Sequence, residues 1–335
     1  MKSLLSLLMV FCLCTTCTKH VENTPPPVEG KPFALGKYIS NSEIDPTCPA
    51  GYTCYGYEIQ APGVTNNEHG YLAVAPYRNT PKGLIIFFTG GGGEEWWSKA
   101  NNSPQYDLAE ELRSLGYMIV QVRWKVNWLI SSPGNSAGPA HLACRPATVI
   151  KYIYDQYYKP LNIPKQNGKA GFCITGNSGG SSQCAYSLSF YGLDSIVDVA
   201  VLTGGPPHSA LNKSCMNRPA EQGYWFTPDH RELTDEGFGF FNRMGPAIRS
   251  DSSFVPRWTM ESISTGGSDY FHPNTRVNFL IGSSDIAMQT ISKDYYQKLQ
   301  AAGNSMLFSF IVPNTGHPVQ GTPEGRAAMK SAILE

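Results

Sequence analysis

Gly171-Phe172-Cys173-Ile174-Thr175-Gly176-Asn177-Ser178-Gly179-Gly180-Ser181-Ser182-Gln183-Cys184-Ala185-Tyr186 is the stretch on which the fold reading turns. Its first five residues are mostly apolar and read as a buried strand. Its last six, Ser181 to Tyr186, open a helix. Between them stands Gly-x-Ser-x-Gly. A strand that passes into a helix across so short a turn forces the apex residue into a strained backbone and points its side chain out of the sheet. Gly176 and Gly180, two residues either side of Ser178, suit a turn too tight for side chains.

Upstream, Gly83-Leu84-Ile85-Ile86-Phe87-Phe88 is a continuous apolar run between Pro81 and a cluster of glycines. Such a run describes a strand buried on both faces, as parallel sheets require. Further strands are expected over 117–123, 170–175, 197–203, 277–281 and 306–312. Helices are expected over 106–115, 146–158, from the Ser178 turn to 191, over 295–302 and over 323–334. Strand and helix in alternation mean a mostly parallel sheet covered by helices on both sides, an α/β fold. Before it, 55–60 and 71–76 alternate like a hairpin around Thr65-Asn66-Asn67.

One stretch breaks the rhythm. About 70 residues rich in Gly, Pro and aromatics separate Thr203 from Val277, too many for a structureless loop in a compact domain. They are read as an inserted cap, about 205–270, lying over Ser178, with Trp225 and Trp258 among the side chains lining a pocket.

Three further features bear on chemistry. Gly90-Gly91-Gly92-Gly93 ends the first apolar strand. Backbone N–H groups of Gly90, Gly91 and Gly92, with that of Gly179, are suited to hold a developing oxyanion. A phosphate loop is the competing reading, but Gly-Lys-Ser/Thr is absent. His317, in Thr315-Gly316-His317-Pro318, follows the last strand and is the preferred base, with His208 second. Asp285, in Gly282-Ser283-Ser284-Asp285, follows the strand at 277–281 and is the preferred partner of His317, with Asp251 and Asp269 as alternatives.

Ser178, Asp285 and His317 occur in the order Ser…Asp…His, and from about residue 55 onward the chain resembles the α/β-hydrolase superfamily of serine hydrolases. The Gly90 to Gly93 run resembles the HGGG-type oxyanion loop of lipases and esterases, with Thr89 in the His position. The resemblance implies an α/β-hydrolase domain over 37–335 and hydrolysis through a covalent Ser178 ester, most often of a carboxylic ester. Glu94, Trp96 and Trp97 beside the glycine loop, with Trp225 and Trp258 of the cap, are the expected substrate-binding residues and suit an acylated carbohydrate. A serine peptidase acting on short peptides, with Glu94 and Glu95 holding the N-terminal amine, is the rival enzyme reading. A non-catalytic binding domain is the reading from another class. No cofactor is implied.

At the other end of the chain, Lys2 precedes an apolar run over 4–13, too short to span a bilayer as a helix. Residues 1–20 are expected to be an export signal. Cys17, or Cys14, stands where a bacterial lipoprotein signal carries its lipidated cysteine, and plain cleavage is the alternative. Residues 21–36, with Pro25-Pro26-Pro27, read as a linker. Lys and Arg together number 26 and so do Asp and Glu, with no basic stripe, which argues against a nucleic-acid partner. Six cysteines follow the signal. Cys48 and Cys54 flank a short turn and are the expected disulfide pair, whereas Cys173 suits a buried thiol equally well. No Cys/His spacing resembles a zinc site.

Overall fold

A computed structural model describes residues 31–99 and 103–335. The export segment, the lipidation cysteines and the linker up to residue 30 lie outside the described residues. Nine strands form one sheet: β1 (Lys37–Asn41), β2 (Thr53–Gln60), β3 (Glu68–Ala75), β4 (Gly83–Phe88), β5 (Tyr117–Trp124), β6 (Phe172–Asn177), β7 (Val199–Thr203), β8 (Arg276–Gly282) and β9 (Leu307–Val312). Their order is β1-β2-β3-β5-β4-β6-β7-β8-β9. β1, β2, β3 and β5 pair antiparallel, and every pair from β5 through β4 to β9 is parallel.

Helices α1 (Pro104–Ser114), α2 (Pro139–Leu142), α3 (Cys144–Ile153) and α4 (Gly179–Ser189) come before β7. The insertion between β7 and β8 holds five short helices: α5 (Leu211–Ser214), α6 (Pro228–Gly237), α7 (Pro246–Arg249), α8 (Val255–Glu261) and α9 (Ile263–Gly266). Helix α10 (Ile286–Ala301) links β8 to β9, and α11 (Pro323–Leu334) closes the chain.

The central strand β4 explains why its sequence is apolar throughout. Leu84, Ile86 and Phe88 point into one core, with Val149 and Ile150 of α3 and Ala185 of α4. Ile85 and Phe87 point into the other, with Leu108 and Leu112 of α1 and Met329 and Ile333 of α11. Both faces are covered, so period-two alternation has no polar half. Each such side chain taken fully from water contributes about 1.5–3 kcal/mol before the entropy of ordering it is set against it.

The structure extends or corrects the sequence expectations at several points. Residues 31–36 are laid against the body of the protein: Phe33 N–H donates to the Phe190 carbonyl at 2.7 Å and Gly36 N–H to Thr148 Oγ1 at 2.8 Å. They are part of the domain and not linker. Strand β1 was not expected. Helix α10 starts at Ile286 rather than 295, because Met288, Ile291, Tyr295 and Leu299 carry one buried stripe at helical spacing. The helix expected over 146–158 loses α-helical geometry after Ile153 and passes through a π-helical turn, Tyr154–Tyr158. Cys48 and Cys54 form the expected disulfide. Cys173 is a buried free thiol, as are Cys144, Cys184 and Cys215, and burial pushes the Cys173 pKa up to about 12. Among the described residues no helix is long and apolar enough to cross a membrane.

Candidate active site

In open α/β sheets, ligands bind beyond the carboxyl ends of the strands where the strand order reverses. Here that point is β4, between β5 and β6. The parallel register aligns Phe88 with Gly176, Asn177 with Thr203, Thr203 with Leu280 and Gly282 with Val312. The loops after β4, β6, β7, β8 and β9 therefore emerge side by side. They carry Gly90 to Gly93, Ser178, Gly204, Asp285 and His317.

Ser178 has φ 53° and ψ −118°, between the last residue of β6 and the first of α4. A non-glycine residue at positive φ is costly, and it persists only where the surroundings impose it. The imposition is visible. A methyl group on Gly176 would lie 2.3 Å from the Gly180 carbonyl carbon, and one on Gly180 would lie 2.6 Å from the Phe88 carbonyl oxygen. The elbow is thus clamped between its own ends and the end of β4. Ser178 N–H donates to the Thr203 carbonyl at 2.9 Å, tying it to β7 as well.

His317 Nδ1 and Asp285 Oδ2 are 2.7 Å apart. Asp285 is the N-cap residue of α10, yet its side chain makes no capping hydrogen bond; the carboxylate is turned to His317 instead. It is largely buried (8% side-chain exposure), while the His317 ring is 42% exposed, at the mouth of the site. The two loops are laced together. Ser283 N–H donates to Val312 O at 2.9 Å and Ser284 N–H to Thr315 O at 3.0 Å. A methyl on Gly282 would stand 2.2 Å from Gly316 O.

Asn177 joins the Ser178 loop to the His317 loop. Its Oδ1 accepts from Val319 N–H at 3.3 Å and from Thr203 Oγ1 at 3.1 Å. Sequence reasoning passed over Asn177 as the variable residue of the pentapeptide. The available signal was a polar side chain ending an otherwise apolar strand.

The glycine loop faces the elbow. A methyl on Gly179 would stand 2.1 Å from Gly91 O and 3.2 Å from Gly91 N. The N–H groups of Gly91 and Gly179 donate to no acceptor among the described residues. Gly92 and Gly93 are held by backbone bonds, with Trp128 N–H on Gly92 O at 3.2 Å and Trp124 N–H on Gly93 O at 2.9 Å. Thr89 Oγ1 donates to Glu95 O at 3.0 Å, closing the loop from the other side.

No protein-family model matches the chain, and no curated protein matches it by sequence. Solved structures do resemble it. Carboxyl esterase 2 from the mycorrhizal fungus Tuber melanosporum superposes with a TM-score of 0.50 at 15% identity, over 88% of this chain and 91% of that one. A variant of the esterase rPPE gives 0.50 at 14%, over 85% and 82%. The acylaminoacyl peptidase of Pyrococcus horikoshii gives 0.50 at 13%, over 84% of this chain but 40% of that one. The fold is that of the α/β-hydrolases.

Within this α/β-hydrolase fold the remaining expected residues separate into two groups. Glu94 and Glu95 are exposed beside the glycine loop. Trp225 is partly exposed in the cap, its Nε1–H on Arg218 O at 3.1 Å. Three other tryptophans are not available to a ligand. Trp96 packs on Tyr71 and Ala73 and donates to Thr47 Oγ1 at 3.2 Å. Trp97 packs on Phe87, ring centroids 4.1 Å apart, under the sheet. Trp258 has no exposed surface and packs with Phe254 inside the insertion. These three support the scaffold, because each large indole fills an interior gap rather than a cleft.

The rejected alternatives also have clear places. His208 is buried, with Nδ1 2.8 Å from Ser182 Oγ, and burial pushes its pKa from the ordinary 6.5 down to about 3. Asp251 caps a short turn through Ser253 N–H and Oγ at 3.0 and 2.7 Å. Asp269 N–H bonds Ser189 O, at the far end of α4 from Ser178. Eleven helical residues, ~16 Å, separate those ends.

His230, on α6 of the cap, was not foreseen. Burial lowers its pKa, and the charge on His317 lowers it further. Its ring lies 5.7 Å from that of Phe226, which is 6.3 Å from that of His208. Through Phe226 and His208 the cap reaches Ser182, in the first turn of α4.

Proposed function

We propose that this protein hydrolyses carboxylic esters through an acyl-enzyme on Ser178. The observation that carries the reading is the pairing of a serine at positive φ on a strand–helix elbow with a 2.7 Å His317–Asp285 contact on neighbouring strand ends. Ser178 Oγ attacks the ester carbonyl carbon while His317 Nε2 takes the hydroxyl proton. Asp285 holds the ring in the tautomer with hydrogen on Nδ1 and stabilises the imidazolium. The carbonyl oxygen becomes an oxyanion facing the free N–H groups of Gly179 and Gly91. Collapse breaks the ester C–O bond, and the alcohol leaves with the proton from His317. Water then attacks the acyl group by the same steps in reverse roles, releasing the acid and restoring Ser178.

Exposed Glu94 and Glu95 beside the glycine loop, and the partly exposed Trp225 on the cap, support a polar, sugar-like alcohol as leaving group. The apolar run over 4–13 and the cysteines at 14 and 17 support an exported, lipid-anchored protein. The test of the reaction class is a substrate panel: p-nitrophenyl esters from acetate to palmitate, acetylated and feruloylated sugars, and aminoacyl amides. Ester turnover with no amide turnover is expected. Preferred turnover of aminoacyl amides would move the reading to a peptidase.

A further inference from the structure

At the opposite end of the strands, where β7 and β8 begin, Asp194, Asp269 and His272 offer one ligand atom each, all within 4.8 Å of one another. Asp194 lies in the turn before β7. Asp269 and His272 lie on the segment that returns from the cap to β8. His272 is 1% exposed, and its Nδ1 is a buried atom without a hydrogen-bond partner. That nitrogen sits 3.7 Å from Asp194 Oδ2, too far for a hydrogen bond. The same two atom types meet at 2.7 Å in His317 and Asp285. A structural His–Asp bond was therefore within reach of this fold and is not what it makes here.

The rest of the ring is held from behind. His272 Nε2 lies 3.3 Å from Ser189 Oγ, which is 2.8 Å from Tyr295 Oη. His272 N–H donates to Asn304 Oδ1 at 2.6 Å, and Asp269 N–H donates to Ser189 O at 3.1 Å. With hydrogen on Nε2, the lone pair of Nδ1 faces two carboxylates, an arrangement that a cation between them relieves. Orientation of a histidine through its far nitrogen is the usual support of a metal ligand. The carboxylates are free for the role. That of Asp194 accepts no hydrogen bond among the described residues, and that of Asp269 accepts only Phe271 N–H, at 2.8 Å. The Lys165 ammonium is bound to the main-chain carbonyl of Asp194 rather than to its carboxylate.

We propose that Asp194, Asp269 and His272 bind a divalent cation, Zn2+ by preference, with water completing the shell. One imidazole and two carboxylates suit zinc, whereas calcium takes six to eight oxygens. Tetrahedral ligands about 2.0–2.2 Å from zinc stand roughly 3.3–3.5 Å apart, so the most separated pair needs to close by up to about 1.5 Å. The ion ties the segment returning from the cap to the far end of α4, away from Ser178.

The test is calorimetric titration of Zn2+ into the full chain after stripping with chelator, with Ca2+ as the comparison. One zinc per chain is expected, at least tenfold tighter than calcium. A zinc concentration about 100 times Kd should raise Tm by roughly 5 °C. Asp269→Asn keeps the acceptor for Phe271 N–H on an exposed residue, so it should fold normally and weaken zinc at least tenfold with ester turnover unchanged. His272→Gln should abolish binding. Zinc affinity unchanged in Asp269→Asn, or no zinc binding tighter than about 1 mM in the parent chain, overturns the proposal.

Discussion

Gly179 and Gly91 meet backbone to backbone: a methyl group on Gly179 would stand 2.1 Å from the Gly91 carbonyl oxygen. This contact brings the glycine loop against the residue that follows Ser178, and it leaves no room for a side chain. Gly179→Ala must push the loops apart. Loss of one oxyanion donor costs roughly 100- to 1,000-fold in kcat, and displacing the pair should cost at least about 100-fold. Gly91 has φ 58° but open space at its Cβ position, so Gly91→Ala should cost less than Gly179→Ala. Steady-state rates on p-nitrophenyl acetate decide the order; equal rates in all three proteins would remove this loop from the chemistry.

Asp285 occupies a helix N-cap position without capping it, so its carboxylate serves His317 alone. Asp285→Asn retains a good N-cap residue. It should leave Tm within about 2 °C, since cap energies are near 1 kcal/mol. Turnover should nevertheless fall by roughly 10³- to 10⁴-fold through loss of the His317 tautomer. A fall in Tm that accounts for the lost activity would mean the residue is structural.

His208 gives a pH dependence with a definite sign. Burial holds its pKa near 3 in the folded chain against the ordinary 6.5. Above 6.5 it is neutral in both states and its contribution to stability is fully present. Between 6.5 and about 3 the unfolded chain takes up a proton that the folded chain refuses, so stability falls as pH falls. His230, shifted in the same direction, adds to the trend. His208→Gln should lower Tm at pH 7.5, through the lost contact with Ser182, but should narrow the Tm difference between pH 7.5 and pH 5. Thermal melts at the two pH values check it; an unchanged or wider difference contradicts it.

Trp258 and Trp225 should respond in different ways. Trp258 is enclosed by Phe254 and the other apolar side chains of the cap. Trp258→Ala should destabilise by about 3–5 kcal/mol. Trp225→Ala, at a partly exposed position, should cost less than about 1 kcal/mol and change the preference among esters. Chemical denaturation of both variants separates the two roles, and equal losses would contradict the assignment.

The contrast between those tryptophans shows how far the sequence could be read. Strands β4 to β8 were legible because burial on both faces leaves largely apolar runs, the edge strand β9 because it is apolar although Phe308, Phe310 and Ile311 are exposed, and Ser178 because an elbow so tight demands glycine on both sides. Asp285 and His317 were legible through their positions just after strands. The fates of Trp96, Trp97 and Trp258 were not, because an indole beside a glycine loop or on a short cap helix has the same local sequence whether it turns into a cleft or into a core. Asn177 and His230 were missed for a related reason: each acts across more than 80 positions of chain, through contacts that leave no periodic trace. The early start of α10 was hidden by its polar residues, although Met288 and Ile291 already carry the buried stripe.

The central claim is that Ser178 is an activated nucleophile. The most direct measurement is reaction of the folded protein with a fluorophosphonate, followed by peptide mass spectrometry. The account predicts one stoichiometric adduct on Ser178, concurrent loss of ester turnover, and no adduct in Ser178→Ala. An adduct on another serine, or a folded Ser178→Ala protein that still turns over esters at the parent rate, would contradict it.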